Sequence, residues 1–226
     1  MIKFTSVTKR YAESETALKD VSFRIEEGQF SFLTGDSGSG KTTLLKMVHM
    51  AERPTLGDVY IAGFSSKKTT SKQVWKLRRQ VGFVFQDFRL LPNRTVLENI
   101  AFVLEVINTP NNEIGRKSQI LLEKVGLETK SNRMIEDLSG GEKQRVAIGR
   151  ALASNPTFLL ADEPTGNLDV KSTKTIMDLF WTINRSGTTV LMATHDVSLI
   201  EEYPKARLLE LENGILIRDS GNREQD

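Results

Sequence analysis

The sequence predicts an α/β protein with a mostly parallel sheet, an N-terminal antiparallel β part and an inserted helical subdomain. Three observations carry this reading. Apolar runs of strand length alternate with segments of helical period through most of the chain, the order that builds a parallel sheet. From Met1 to about Gly35 the period is two instead, and "IKFTSV", "VSFRI" and "FSFLTG" read as strands. From about Asp87 to Asp137 the text turns helical and polar, as an insertion between two halves of a core would.

The elements follow in order. The turn-rich "AESET" separates the first two strands, and "GKTTLLKMVHMA" is a helix entered from a glycine-rich loop. After the turn from Pro54 to Gly57 come the strand "GDVYIAG", the helix "SKQVWKLRRQ" and the strand "VGFVFQ". In the insertion, "TVLENIAFVLEVI" and "EIGRKSQILLEKVGL" are helices broken at "NTPNN". A paired-glycine turn, "LSGGE", then opens the helix "KQRVAIGRAL". The buried-type strand "TFLLADE", the helix "STKTIMDLFWTINRSG", the strand "TVLMATHD" and the hairpin-like "ARLLELENGILIRD" complete the order. We divide the chain as a single domain, 1–226, in which 1–87 and 138–220 form the core, 88–137 the helical subdomain and 221–226 a tail.

Bulk composition excludes several classes. With 31 basic against 29 acidic residues the net charge is +2, so no global footprint for a polyanion exists. The cluster "KLRRQ" is too small to argue for nucleic acid and reads as a solvated helix face, so no nucleic-acid partner is expected. The absence of cysteine removes disulfides, thiol catalysis and Cys-based zinc sites, and agrees with a reducing compartment. The N-terminus alternates and carries charge, unlike a secretory signal. No apolar run approaches the roughly 20 residues that span a bilayer.

The glycine-rich loop carries chemistry. "GDSGSGKTT" matches G-x-x-x-x-G-K-[ST] through Gly35, Gly40, Lys41 and Thr42. Glycines let the chain wrap so that consecutive N–H groups point at phosphate oxygens, and Lys41 adds positive charge beside the β- and γ-phosphates. The Thr42 hydroxyl is a magnesium ligand in such loops. A chance match would lack context, whereas this one follows a strand and opens a helix, as the mechanism requires. "TFLLADE" ends in Asp162 and Glu163, and a parallel sheet gathers ligands at the carboxyl ends of its strands. Asp162 is placed to hold magnesium, and Glu163 to orient and deprotonate an attacking water. Gln86 and His195 end two other strands, so all four elements are expected on one edge; Gln86 has an amide within reach of magnesium, a water or the γ-phosphate. The second histidine, His49, sits in a helix and reads as packing or surface.

Taken with "LSGGE", these residues resemble the ATP-binding cassette (ABC) ATPases over nearly the whole chain, with each motif in the family's order: phosphate loop, Gln86, "LSGGE", "FLLADE", "GNLD" and His195. The family often has Gln where this chain has Glu142. The resemblance implies a phosphate-loop (RecA-like) core and an ATPase that uses ATP and magnesium. Its phosphates would lie on Gly35, Asp36, Ser37, Gly38, Ser39, Gly40, Lys41, Thr42 and Thr43, with magnesium on Thr42, Gln86 and Asp162. Glu163, His195 and Gln86 would be catalytic, and Tyr11 would stack under adenine. It also implies a head-to-tail pair of identical chains, in which Ser139, Gly140, Gly141 and Asp169 of one subunit face the ATP on the other. A helix N-terminus carries about half a positive charge, which suits a phosphate presented by a second copy.

The segment from Phe85 to Phe102 lies where the family's cassettes meet an integral membrane partner, and Phe88, Leu90 and Leu91 are expected to be exposed for docking. Its wording, with "LLADEPTGNLD" and "VLMATHDVSLI", is most similar to cassettes of cell division, which implies a cytoplasmic protein held peripherally at the membrane by that partner. ATPase subunits of lipoprotein release or efflux share "ADEPTGNLD" and are the alternative. Soluble cassettes of DNA repair or translation carry long coiled coils or two fused cassettes, and this chain has neither the length nor the heptads. A phosphoryl-transfer kinase would leave "LSGGE" unexplained.

Overall fold

The computed structural model describes residues 1–12 and 15–221. Strands Ile2–Ala12 (β1) and Glu15–Ile25 (β2) pair antiparallel, and Phe30–Thr34 (β3) leads through the glycine loop into helix Lys41–Val48 (α1). Strands Leu56–Ile61 (β4) and Phe64–Ser65 (β5) follow, then a short helix Val74–Arg78 (α2) and strand Val81–Val84 (β6). The inserted helices are Val96–Val106 (α3) and Asn111–Lys124 (α4), with 3-10 turns at Glu128–Lys130 and Ile135–Asp137. Helix Gly140–Leu152 (α5), strand Phe158–Asp162 (β7), helix Val170–Arg185 (α6), strand Thr189–Ala193 (β8) and helix Val197–Glu202 (α7) complete the second half. The hairpin of Arg207–Glu212 (β9) and Ile215–Asp219 (β10) closes it.

These strands form two sheets. One is antiparallel, in the order β2-β1-β4-β5. The other has the order β10-β9-β3-β8-β7-β6 and is parallel except for the β9–β10 hairpin. The middle strands β7 and β8 are buried at every position, which is why they read as continuous apolar runs rather than as alternation.

Two cores lie on opposite faces of the larger sheet, and the strand period of two divides the side chains between them. Phe30, Phe32, Leu159, Ala161, Val190 and Met192 face α3, α4, α5 and α6. Leu33, Phe158, Leu160, Leu191 and Ala193 face α1 and the antiparallel sheet. Each large side chain buried this way contributes about 1.5–3 kcal/mol of transfer free energy.

Several boundaries differ from the sequence reading. The helix expected over 71–80 is confined to Val74–Arg78, and the one expected through Ala51 ends at Val48, where Met50 turns left-handed at φ 51°. Strand β5, helix α7 and both 3-10 turns were not anticipated. The middle of "AESET" and all of the expected tail except Gly221 lie outside the described residues.

Candidate functional site

Because β3, β6, β7 and β8 run parallel, their carboxyl ends share one edge, and each is followed by residues singled out above. The loop after β3 is folded by Ser39 N–H donating to the Asp36 carbonyl at 3.1 Å. Gly40 has φ 107°, and a β-carbon there would lie 2.6 Å from the Ala17 carbonyl oxygen, so only glycine fits. Lys41 is 6% exposed, and its ammonium donates to the carbonyls of Gly35 at 2.6 Å and Asp36 at 2.9 Å. Helix α1 has no acidic residue in its first turn, so the positive end of its dipole is left uncompensated for an anion. The buried Ser39 hydroxyl has no hydrogen-bond partner among the described residues.

A cleft of about 720 Å³ opens over this loop, lined by Asp36, Ser37, Gly38, Gly40, Lys41, Thr42 and Thr43 together with Gln86, Glu163 and His195. Tyr11 stands at its rim, 46% exposed, with its hydroxyl 3.3 Å from the Thr43 hydroxyl and the Lys9 ammonium 4.8 Å from its ring centre. A half-exposed aromatic face beside a phosphate loop offers a stacking surface for a base. Gln86 lies two residues past the end of β6, and His195 two past β8.

Asp162 ends β7, is 8% exposed, and is hydrogen-bonded to Thr42. Burial pushes its carboxyl above the ordinary range, against the lowering effect of the Thr42 bond, and the neighbouring Glu163 carboxylate pushes it further. A buried carboxylate, a hydroxyl and an amide beside one another form an oxygen-only donor set, the kind that suits a hard divalent cation. Thr42, Asp162 and Gln86, which share a second cavity contiguous with the cleft, therefore fit magnesium.

Glu163 follows with φ 47°, a left-handed backbone for a non-glycine residue, held by its N–H donating to the Ala193 carbonyl at 2.9 Å. Its Oε1 lies 3.0 Å from His195 Nδ1. Glu163 and the imidazole both line the cleft over the phosphate loop.

Ser139, Gly140, Gly141 and Asp169 do not line this cleft. Ser139 caps α5: its hydroxyl accepts from the Glu142 N–H, and Glu142 accepts from the Ser139 N–H at 3.0 Å, a reciprocal capping box. A β-carbon on Gly141 would sit 2.9 Å from the Ser172 hydroxyl, so glycine lets the start of α5 press against the start of α6. Asp169 caps α6 through the Ser172 N–H at 2.9 Å. The two helix starts thus form one surface, separate from the cleft in the same chain.

Sequence reasoning missed three features. The capping-box spacings S-x-x-E at Ser139–Glu142 and T-x-x-E at Thr95–Glu98 went unread, although both helix starts were placed. Lys130, whose ammonium pairs with Glu142, had no sequence signal. Nor did Arg150 of α5, which donates to the Arg89 carbonyl at 2.6 Å and bridges to the segment after Gln86, where Phe88 and Arg89 are consecutive left-handed residues at φ 57° and 50°.

The docking expectation needs correction. Phe88 and Leu90 are half-buried and pack against the helical core, and Leu91 is half-buried too. The exposed apolar side chains nearby are Trp75, Phe102 and Val106. Trp75 and Val106 line a groove of about 590 Å³ between α2 and α3, floored by Phe83 and walled by Arg78, Arg79 and Arg150. The "KLRRQ" arginines are likewise engaged rather than merely solvated, Arg79 donating to the Ile107 carbonyl at 2.8 Å across that groove.

A cleft built on a phosphate loop, with an acid pair, a glutamine and a histidine from parallel strand ends and a separate glycine-opened helix, defines the class, and the family profile agrees. A profile described as "ABC transporter" matches residues 18–166, and the chain belongs to this family of ATP-binding cassette ATPases. Among individual relatives, it is 50% identical over 220 residues to "Cell division ATP-binding protein FtsE" of Mycobacterium tuberculosis, covering 97% of this chain and 95% of the relative. The protein of the same name in Escherichia coli K12 is 45% identical over 216 residues, covering 96% and 97%. A dimeric post-hydrolysis structure of an ATP-binding cassette bound to ADP and Pi matches with TM-score 0.86 and 38% identity over 97% of each chain. A dimeric bacterial ABC transporter cassette matches at 0.87 and 39%, again over 97% of each. Among the described residues no helix is long and apolar enough to cross a membrane.

Proposed function

We propose that this chain is an ATP-hydrolysing cassette of cell division that pairs with a second copy around two ATP and drives movement in a membrane partner. The observation that carries this reading is the division of labour within one chain. Residues that suit holding and hydrolysing ATP line one cleft, while the Ser139–Gly141 helix start lies outside it, on a surface fit to face a second subunit. The cell-division names of relatives at 50% and 45% identity and the dimeric form of similar cassettes support it. In this reading 1–226 is one cassette domain, with 88–137 as its helical subdomain and 221–226 as a tail.

The chemistry follows from the residues. Gly35 to Thr43 hold the phosphates through backbone amides, with the Lys41 ammonium turned from the loop carbonyls toward the β- and γ-oxygens. Tyr11 stacks on the adenine. Magnesium bound by Thr42, Asp162 and Gln86 would neutralise charge on the phosphate oxygens. Glu163 accepts the proton of a water whose oxygen attacks the γ-phosphorus as the bond to the ADP oxygen breaks, and His195 holds Glu163 and the γ-phosphate in line. Ser139, Gly140 and Gly141 of the second copy close over the same phosphate, with Asp169 at the seam. ATP favours the closed pair, and loss of the γ-phosphate releases it, a shift of population between two states.

The partner in this reading is the integral membrane protein FtsX, through which ATP-driven movement reaches cell-wall hydrolases. Its cytoplasmic coupling helix would seat in the Trp75–Val106 groove beside the Phe85–Phe102 segment, where three arginines favour acidic neighbours of an apolar anchor. The chain would thus be cytoplasmic and peripheral at the membrane. Capture from detergent-solubilised membranes tests this. Recovery of a four-span protein with a large extracytoplasmic loop is expected, whereas recovery of a lipoprotein-release or efflux transporter would replace the cell-division reading.

A further inference from the structure

The start of α5 has a charge problem that Lys130 solves. A helix N-terminus offers about half a positive charge. Glu142 sets a full negative charge at the same place, because its Oε2 is bound to the Ser139 N–H at 3.0 Å. Its side chain is 16% exposed, so most of it is held against the protein. Left alone, this helix start would carry a net charge of about −0.5 and repel a phosphate. The Lys130 ammonium, from the 3-10 turn Glu128–Lys130, bonds the other carboxylate oxygen and returns the balance to about +0.5. The Lys130 contact and the Ser139 amide together hold the Glu142 carboxyl below the usual carboxylate range, so it stays ionised.

We infer that Lys130 is a positioning residue of the inter-subunit ATP site: it neutralises Glu142 so that the Ser139–Gly141 helix start can receive the phosphate of the second copy. The inference rests on the dimer reading above. It makes the signature's Glu142 dependent on one lysine of the helical insertion, which an uncharged glutamine at that position would not be.

The test uses the full chain carrying Glu163→Gln, with ATP-dependent dimerisation followed by analytical ultracentrifugation at two ionic strengths and melting temperature as the folding control. Lys130→Met should raise the ATP concentration for half-maximal dimer by about five- to tenfold, with the larger effect at low salt. Lys130→Arg should match the parent. Glu142→Gln alone should not weaken dimerisation, and adding it to Lys130→Met should restore the midpoint to within about twofold of Glu142→Gln alone. The inference is overturned if Lys130→Met leaves the midpoint unchanged. It is also overturned if Glu142→Gln alone is as defective as Lys130→Met and the double variant no better, the behaviour of an ion pair that only supports the fold. Ser139→Arg separates the two levels. If it abolishes dimerisation while Lys130→Met does nothing, the lysine's role fails alone; if it has no effect, the inter-subunit site fails and the inference with it.

Discussion

His195 Nδ1 lies 3.0 Å from Glu163 Oε1, joining the loop after β7 to the loop after β8 across the carboxyl edge of the sheet. Glu163 reaches this contact only from a left-handed backbone at φ 47°, a conformation that costs a non-glycine residue of order 1–3 kcal/mol and persists where surrounding structure enforces it. Replacing Glu163 with Gln keeps shape and hydrogen bonding but removes the proton acceptor. Phosphate release should fall by at least about a hundredfold while ATP binding, measured by fluorescent-nucleotide titration, is retained. A rate within a fewfold of wild type would remove Glu163 as the base.

The separation of the cleft from the Ser139 surface predicts complementation. Lys41→Ala and Ser139→Arg should each be inactive alone. Mixed in equal amounts, they form hybrid dimers with one composite site intact, so activity should return to about a quarter of the wild-type rate. No recovery in the mixture would mean that Ser139 serves its own chain.

His49 supplies a pH dependence. It ends α1 edge-on to Phe83, ring centres 5.5 Å apart, and burial together with the Arg78 charge lowers its pKa from 6.5 to about 4. The unfolded chain takes up this proton first, so the stability His49 contributes is complete above about pH 6.5 and is lost as pH falls toward 4. The loss amounts to roughly 3 kcal/mol at most. Urea melts at pH 7.5 and 5 should show a steeper decline for wild type than for His49→Phe, and parallel declines would show that another group sets the acid limit.

The groove between α2 and α3 makes its own prediction. Trp75 is 52% exposed and Val106 61%, so little of the core's packing depends on either. Trp75→Ala and Val106→Asp should leave the melting temperature within about a degree, as surface changes do, yet lose capture of the membrane partner. Undiminished capture by both variants would move the docking surface elsewhere.

Legibility in the sequence followed the physics that each feature obeys. The central strands and the phosphate loop were readable because burial on both faces and close backbone approach leave few residue types open, as at Leu159 or Gly40. The sheet edge that assembles Gln86, Asp162, Glu163 and His195 followed from parallel connectivity alone. The exposure of Phe88, Leu90 and Leu91 was misread because an apolar side chain in a loop looks the same whether it faces solvent or folds back, and Arg150 holds this loop against the helical core. Helix α2 was overestimated because periodicity continues past the point where Gln73 and Arg79 bound it. The Lys130–Glu142 pair spans 12 residues and two elements, so no local spacing encodes it.

The larger sheet is also a partition between two sets of neighbours. A truncation on one face, such as Ile100→Val in α3, belongs to a different packed cluster from one on the other face, such as Leu44→Ala in α1. Their destabilisations should sum to within about 0.5 kcal/mol, whereas Ile100→Val combined with a truncation of Val125 on its own face should not. Both faces therefore draw down one shared stability, while each decides separately which second change can compensate a first.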